Sequence, residues 1–252
     1  MITRNELKYY SSLLQKKFRQ AEKKFLAEGK KTVLEGLQSS YECERIFITP
    51  KFSEEEKEYV KQISSYKDKV EILRSPEFRK ITDTLSPEGI AAVFIKKSDP
   101  IKISSIKDSL VVYLEDITDP GNLGTIIRNC DWFGIKNLFL SKTSAEVFNP
   151  KVIRASMGSV FHINIFKDVS LEAITPLKKS GYQFVCSDLK GENVYDFKRN
   201  EKTLLFLANE THGPSEELLS ITDKRITIPG KGKAESLNVA SASAVIISEL
   251  TK

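Results

Sequence analysis

The sequence is poor in the residues that build metal sites and disulfide frameworks. Its three cysteines, Cys43, Cys130 and Cys186, lie far apart and in no C-x-x-C pair. Its two histidines, His162 and His212, have no metal-ligand spacing around them. These absences argue against a disulfide framework and a metallohydrolase, and we expect no bound metal. The cysteines are typical of small, partly buried apolar residues in a reducing compartment.

Long hydrophobic runs and several common enzyme motifs are also missing. No window approaches the ~20 consecutive apolar residues of a membrane span, and the first ten residues lack the apolar core of a signal peptide. We therefore expect a cytoplasmic protein with no membrane partner. Ser156 and Ser236 lie in no G-x-S-x-G elbow, and the glycine-containing turn at residues 119–128 departs from G-x-G-x-x-G. Serine hydrolase chemistry and NAD binding are both disfavoured.

The charge balance is mildly basic, with 39 Lys and Arg against 34 Asp and Glu and a formal net charge of +5. This charge is compatible with a polyanionic partner but does not require one. Lys16, Lys17 and Arg19 lie among apolar residues of an amino-terminal helical pattern. Such a basic face is either a solvated surface or a nucleic-acid contact, and the pattern does not separate the two.

The 252 residues suit two ordinary domains. Residues 1–100 predict a small α/β domain, in which a helical pattern runs through Phe25 and Leu26 and strands follow near residues 45–49, 70–73 and 90–95. The polar, proline-containing stretch between Lys96 and Asp108 predicts the interdomain linker. Residues 101–252 alternate strand and helix, which predicts an α/β fold with a parallel sheet covered on both faces.

The last quarter of the chain carries the most informative pattern. An apolar run at 204–207 and a second short strand at 225–228 both end in tight loops rich in turn-forming residues. Loops at the carboxyl ends of neighbouring parallel strands are where an open α/β sheet binds its ligand. Ser236 or Asn238 is placed to cap the helix that follows. We therefore expect a ligand site formed by these two loops.

Three segments, in this order, resemble the motifs of the SpoU (TrmH) family of RNA methyltransferases. They are NLGTIIRNCDWFG at 122–134, LFLANETHGPSEEL at 205–218 and ITIPGKGKAESLNVASASA at 226–244, with Arg154-Ala-Ser-Met-Gly-Ser between the first two. Upstream, RQAEKKFLAEGKKTVLEGL and LSPEGIAAVF are similar to the small substrate-binding domain of several members. The resemblance covers nearly the whole chain.

The resemblance implies an enzyme that transfers a methyl group from S-adenosylmethionine to a ribose 2′-hydroxyl of ribosomal or transfer RNA. It implies an RNA-binding domain in residues 1–100 and a catalytic domain with a deep trefoil knot in residues 101–252. It also implies a homodimer whose site is completed across the interface. The extra domain favours ribosomal RNA. The alternative from another class is a non-catalytic RNA-binding protein of the same fold, and the joint presence of Asn122, Arg128, Glu210 and Asn238 argues against it.

The family's functional residues carry over onto matching positions of this sequence. The cofactor-binding positions are Ala208, Gly213, Ile228, Leu237 and Asn238. The catalytic positions are Arg128, Asn122, Glu210, Ser236 and Asn238. The residues expected to contact RNA are Lys16, Lys17, Arg19 and Arg154. Because a guanidinium titrates above about 12, we expect Arg128 to anchor the target phosphate and orient the hydroxyl rather than act as the base.

Two positions depart from the family pattern. Ala208 stands where many members have glycine, and Gly230 stands where many have methionine. An added methyl group at Ala208 is tolerable unless that backbone needs a positive φ. Gly230 removes a side chain near the cofactor, so it bears on cofactor affinity rather than on the type of reaction.

Overall fold

A computed structural model of the chain describes residues 2–96 and 102–252. These residues form two compact units, one made of 2–96 with Phe148–Phe161 and the other of 102–147 with His162–Lys252. Residues 97–101 of the predicted linker, and with them the predicted boundary after residue 100, lie outside the described residues. Within the two described ranges, no helix is long and apolar enough to cross a membrane.

The helices and strands alternate along most of the chain. The helices are α1 (Arg4–Ser12), α2 (Lys16–Glu22), α3 (Lys30–Gln38), α4 (Pro50–Glu55), α5 (Lys57–Gln62), α6 (Ser75–Phe78), α7 (Pro120–Trp132), α8 (Pro150–Ser156), α9 (Leu171–Ile174), α10 (Glu216–Ile221) and α11 (Val239–Leu250). The strands are β1 (Lys24–Glu28), β2 (Cys43–Ile48), β3 (Val70–Ile72), β4 (Ile90–Ile95), β5 (Leu110–Glu115), β6 (Asn137–Leu140), β7 (Asn164–Phe166), β8 (Gln183–Asn193), β9 (Thr203–Ala208) and β10 (Lys224–Thr227).

The first unit contains a four-stranded sheet in the order β1-β4-β2-β3, with β4 antiparallel to β1 and β2. Its core includes an aromatic cluster to which the segment Phe148–Phe161 contributes. The ring of Phe25 stacks on that of Phe148 with centroids 4.2 Å apart, and the rings of Phe94 and Phe161 meet edge to face at 5.1 Å. Because these rings are buried together, the segment belongs to the core of the first unit.

The predicted helix through Phe25 and Leu26 is wrong, because both residues lie in β1. Helix α2 ends when Lys23 adopts a left-handed conformation, with φ 53°, and the run Phe25-Leu26-Ala27 then pairs with β4 and is buried. Pairing with residues of β4 that lie 65 to 69 positions away in the chain overrides the local helical spacing. The predicted strands near residues 45–49, 70–73 and 90–95 are confirmed as β2, β3 and β4.

The second unit is built on a six-stranded sheet in the order β10-β8-β9-β5-β6-β7, and every pair is parallel. The central strands are apolar along most of their length, and all six residues of β5 are buried. Such runs are typical of strands covered on both faces. The predicted α/β fold with a parallel sheet is therefore confirmed.

The two strands whose ends were expected to be neighbours, β9 and β10, are separated by β8. Strand β10 fits beside β8 because Gly191 has no side chain. A Cβ atom at Gly191 would lie 2.4 Å from the carbonyl carbon of Ile226. The neighbour expectation is thus wrong, and the loop that follows β10 begins one strand farther from the end of β9.

Helix α7 and helix α11 pack together and bring their amino termini to the same region. Asn129 in α7 donates hydrogen bonds from Nδ2 to the carbonyl oxygen of Ala240 and to Oγ of Ser243, each at 2.9 Å. Asp119 caps α7 by accepting a hydrogen bond from the backbone N–H of Asn122 at 2.8 Å. The first turn of α7 is therefore held near the start of α11.

Candidate functional site

Three polar residues, one from each of the three sequence motifs, form a closed hydrogen-bonded cluster. Asn122 donates from Nδ2 to Oε1 of Glu210 at 3.0 Å. Asn238 donates from Nδ2 to Oδ1 of Asn122 at 2.9 Å and to Oε1 of Glu210 at 3.4 Å. These residues lie at the start of α7, in the loop after β9 and at the start of α11. We call them the polar triad.

The capping role of Asn238 sets the orientation of its amide. Its Oδ1 accepts hydrogen bonds from the backbone N–H groups of Ala240 and Ser241, at 2.9 and 3.3 Å, and so caps α11. An oxygen is required at that position, so the amide nitrogen must face Asn122 and Glu210. The expectation that Ser236 or Asn238 caps this helix is confirmed for Asn238.

The polar triad contains one carboxylate and two neutral amides. Within the described residues, no lysine, arginine or histidine forms an ion pair with Glu210. The negative charge of its carboxylate is therefore offset only by the two amide donors and solvent. A cluster of this composition can hold a nearby cation and orient a hydroxyl group by hydrogen bonding.

The loop after β9 is compact and contains a left-handed glycine. The backbone N–H of Gly213 donates to the carbonyl oxygen of Asn209 at 2.8 Å, and the φ of Gly213 is +67°. Ala208 ends β9 opposite Glu115 and is not among the residues with positive φ. The methyl group that replaces the usual glycine at Ala208 is therefore accommodated without backbone strain.

The loop between β10 and Asn238 carries two large apolar side chains. Ile228 is half-buried, whereas Leu237 is 48% exposed and directly precedes Asn238. Nothing lies within 4 Å of where a Cβ of Gly230 would be. Exposed apolar side chains beside polar groups suit a ligand with an aromatic face and a charged end, such as S-adenosylmethionine. The residues present thus fit this cofactor.

Arg128 and Ser236 do not join the polar triad in the single chain. Arg128 lies six residues beyond Asn122 in α7, about 240° around the helix axis. It is exposed, and it makes no hydrogen bond or ion pair within residues 2–96 and 102–252. Ser236 is also exposed, in the loop before Asn238. The fold thus brings together three of the five predicted catalytic residues.

The basic residues of α2 fall into two groups. Lys16 and Lys17 are exposed on the helix surface. Arg19 is only 2% exposed, and its guanidinium donates to the carbonyl oxygens of Leu13 and Leu14 at 2.9 and 2.7 Å. Those bonds satisfy carbonyl groups just after α1. RNA could reach the Arg19 guanidinium only if these bonds were broken.

Arg154 is held by two carboxylates of the first unit. Its Nη1 lies 2.6 Å from Oε1 of Glu28, and its Nη2 lies 2.9 Å from Oδ2 of Asp83. The side chain of Glu28 is only 11% exposed, and Arg154 supplies the positive charge that offsets its largely buried carboxylate. The arrangement fastens the segment Phe148–Phe161 to the rest of its unit.

Glu115 and Asn209 are not among the site residues predicted from the sequence, although both organise the loop after β9. Asn209 donates from Nδ2 to the carbonyl oxygen of Asp116 at 3.0 Å, and its Oδ1 accepts from the N–H of Thr211 at 2.8 Å. Glu115 is 8% exposed and accepts two hydrogen bonds from Ser215. One signal was available, since Glu115 is an acid that ends a run of five apolar residues.

Among the described residues, no group of three or more His, Cys, Asp or Glu side chains is placed to hold a metal ion.

Comparison with known proteins gives consistent matches. Residues 109–248 match the sequence model of the SpoU rRNA Methylase family, and residues 4–92 match that of the MRM3-like substrate binding domain. The 23S rRNA (guanosine(2553)-2'-O)-methyltransferase RlmP of Bacillus subtilis is 30% identical over 248 residues, which cover 97% of this chain and 95% of the relative.

Two solved structures match over nearly the whole chain. A TrmH-family protein from Porphyromonas gingivalis superposes with a TM-score of 0.87 and 32% identity, covering 99% of this chain and 98% of its own. The AdoMet-bound rRNA methyltransferase from Sinorhizobium meliloti superposes with a TM-score of 0.85 and 26% identity, covering 99% and 95%. The match thus extends over both compact units.

Proposed function

The chain belongs to the SpoU rRNA methylase family, and from this we propose that it transfers a methyl group from S-adenosylmethionine to a ribose 2′-hydroxyl of ribosomal RNA. The observation that carries the proposal is the polar triad, in which Asn122, Glu210 and Asn238 meet from three separate motifs. A protein that only bound RNA would not need this cluster beside the apolar side chains of Ile228 and Leu237. The chain is therefore an RNA methyltransferase rather than a non-catalytic RNA-binding protein.

Each part of the site has a role in an in-line displacement at a methyl carbon. When bound, S-adenosylmethionine supplies the electrophilic methyl group on a sulfonium. Ile228 and Leu237 would supply apolar surface for its adenine, and Gly213 gives the loop after β9 its left-handed turn. The carboxylate of Glu210 would favour the positive charge of the sulfonium. Asn122, Asn238 and Ser236 would orient the ribose hydroxyl, whose oxygen takes the methyl group as the carbon–sulfur bond breaks and whose proton passes to solvent.

In this proposal the target phosphate is anchored by Arg128 of a second copy of the chain. Arg128 faces away from the polar triad of its own chain and is exposed. Trp132, four residues farther along the same helical face, is 82% exposed, which suits a surface covered in a homodimer. The proposal includes the family's trefoil knot in residues 101–252.

The amino-terminal domain, residues 1–100, binds the RNA in this proposal and uses Lys16 and Lys17 as phosphate contacts. Replacing both lysines with glutamate should raise the KM for RNA and reduce the salt dependence of binding by about two phosphate contacts. The charge-matched control replaces Lys57 and Lys61, two exposed lysines of α5, with glutamate. Equal effects of the two pairs would contradict a specific contact by α2.

Ribosomal RNA is the proposed substrate, and transfer RNA is the alternative. The Bacillus subtilis relative, which aligns over 97% of the chain, is named for 23S rRNA, and we place the enzyme in the cytoplasm with its substrate. The test supplies labelled S-adenosylmethionine with ribosomal RNA or transfer RNA, and maps 2′-O-methyl groups in RNA from cells that lack the protein. We expect label in ribosomal RNA and one lost ribosomal site. Label confined to transfer RNA would overturn the substrate assignment.

Calorimetry tests the enzyme assignment independently of the RNA. We expect the folded protein to bind S-adenosylmethionine, and we expect the Asn238→Asp variant to bind it more weakly because its amide donor is lost. A folded dimer with no measurable binding would favour the non-catalytic alternative.

A further inference from the structure

Glu115 is the most buried carboxylate near the polar triad, and the proposed chemistry leaves it without a role. It ends β5 and is 8% exposed. Both oxygens of its carboxylate accept hydrogen bonds from Ser215: Oε2 from the backbone N–H at 2.9 Å and Oε1 from the hydroxyl at 2.6 Å. Burying a carboxylate is costly, and here its two acceptors are used on one residue of the loop after β9.

The backbone of Glu115 holds the other end of the same loop. Its carbonyl oxygen accepts a hydrogen bond from the N–H of Asn209 at 3.1 Å, directly after β9 ends at Ala208. The loop therefore leaves the sheet at Asn209 and returns at Ser215, and both ends are bonded to one residue. Between these ends lie Glu210, which belongs to the polar triad, and Gly213.

We propose that Glu115 is a positioning residue for methyl transfer, which closes the loop 209–215 and so holds Glu210 where it meets Asn122 and Asn238. The proposal rests on the proposed function, because it assigns Glu115 to the cofactor loop of that site. Glu115 acts through Ser215 and does not contact the reacting atoms. Without this closure the loop keeps its hydrogen bonds at Asn209, including those from the N–H groups of Thr211 and Gly213, but loses its attachment at Ser215.

Variants at Ser215 separate loop closure from helix capping. Ser215 also caps α10 by accepting a hydrogen bond from the N–H of Leu218 at 3.1 Å. Aspartate and asparagine are equally good capping residues. Asparagine retains a side-chain donor for Glu115, whereas aspartate places a second carboxylate against it. Ser215→Asp should therefore keep the cap of α10 but break the attachment of the loop to Glu115. Ser215→Asn should keep both.

Variants at Glu115 test the same closure from the other side. Glu115→Ala removes both acceptors, whereas Glu115→Gln retains one acceptor for the backbone N–H of Ser215 and should rescue most of the effect. Asp108→Asn is the matched control, because Asp108 lies at the opposite end of β5 and its carboxylate accepts a hydrogen bond from Asn137 at 2.6 Å. If Glu115→Ala does not fold, the Ser215 pair carries the test.

The closing experiment has a readout that needs no ligand and one that needs the cofactor. Hydrogen–deuterium exchange should show at least tenfold faster exchange of peptides covering 209–215 in Glu115→Ala and Ser215→Asp, and no change there in Asp108→Asn. At a temperature where every variant is folded, the first two should raise the KM for S-adenosylmethionine about tenfold, with a smaller change in kcat.

The outcomes separate the two proposals. Unchanged exchange of the loop in folded Glu115→Ala or Ser215→Asp overturns the closure. Faster exchange with an unchanged KM overturns the role in positioning the cofactor loop. If the wild-type chain binds no S-adenosylmethionine, the proposed function fails, and with it the positioning role, whereas the exchange data still decide whether Glu115 closes the loop.

Discussion

Asn238 donates a hydrogen bond from Nδ2 to Oδ1 of Asn122 at 2.9 Å, although the two residues are 116 positions apart in the chain. The bond joins the start of α11 to the first turn of α7. Each asparagine also donates to Oε1 of Glu210. The three residues therefore depend on one another, and a change in one should disturb the other two.

Asn238 allows activity to be separated from stability. Asn238→Asp keeps an oxygen to cap α11 but loses the amide donor. The methyl-transfer rate should therefore fall at least tenfold, which corresponds to an activation barrier higher by about 1.4 kcal/mol. Asn238→Ala loses the cap as well and should cost about 1 kcal/mol of unfolding free energy. Rates with labelled cofactor and urea unfolding measure both. Equal activity of Asn238→Asp and the wild type would contradict the role of the polar triad.

Substitution of Arg128 should lower activity without lowering stability. It is exposed and bonded to no other described residue, so Arg128→Lys should leave the melting temperature unchanged. Lysine keeps the charge but lacks the planar fork that binds phosphate at two points, so kcat/KM for RNA should fall at least tenfold. The measurement is a steady-state methylation assay. Activity near that of the wild type would exclude bidentate anchoring.

Arg154 should be important for the stability of the first unit. Arg154→Ala leaves the carboxylates of Glu28 and Asp83 without their cation, and Glu28 is largely buried. We expect a loss of about 2 kcal/mol in unfolding free energy, below the ~3–5 kcal/mol of a fully buried pair. Urea unfolding measures it. Arg74→Ala is the control, since that ion pair with Glu77 is exposed at the arginine and should contribute nothing measurable. Equal effects of Arg154→Ala and Arg74→Ala would argue against a stabilising role for the ion pairs of Arg154.

The three cysteines should be unreactive in the folded protein. Burial raises the pKa of the Cys43 thiol to about 11 and that of Cys186 to about 12, and it also raises the pKa of Cys130. Their thiolate forms are therefore scarce at pH 8, and a thiol-reactive dye should label the protein only after unfolding. Because these thiols stay neutral when folded, stability should decline as the pH rises above about 8.5, where unfolded cysteines ionise. Rapid labelling of the native protein would contradict this.

Much of the second unit was predictable because its pattern is local. The strands β5, β6 and β9 each contain a continuous apolar run, which is typical of buried parallel strands. The polar residues of the three motifs follow strands or begin helices, where side chains at one edge of a parallel sheet converge. The resemblance to the SpoU family named the same residues, and the fold joins three of them in the polar triad.

Other features depend on partners that are distant in the chain. Phe25 and Leu26 have helical spacing but lie in a strand, because β4 supplies hydrogen bonds and burial that no local pattern announces. Arg19 has the sequence neighbours of a surface arginine, yet it is buried and its guanidinium binds carbonyl groups just after α1. The partners of Arg154 lie 126 and 71 positions away, and they place its segment in the first unit.

By itself, the sequence determined the alternation of strand and helix and the two loops rich in turn-forming residues, because composition and spacing act over a few residues. Its resemblance to the SpoU family identified the polar motif residues. Only the tertiary structure decided that β8 separates β9 from β10, that Glu115 binds both ends of the loop 209–215, and that Arg128 lies apart from the polar triad. These relationships depend on strand order and helix rotation, which arise from packing between distant segments of the chain.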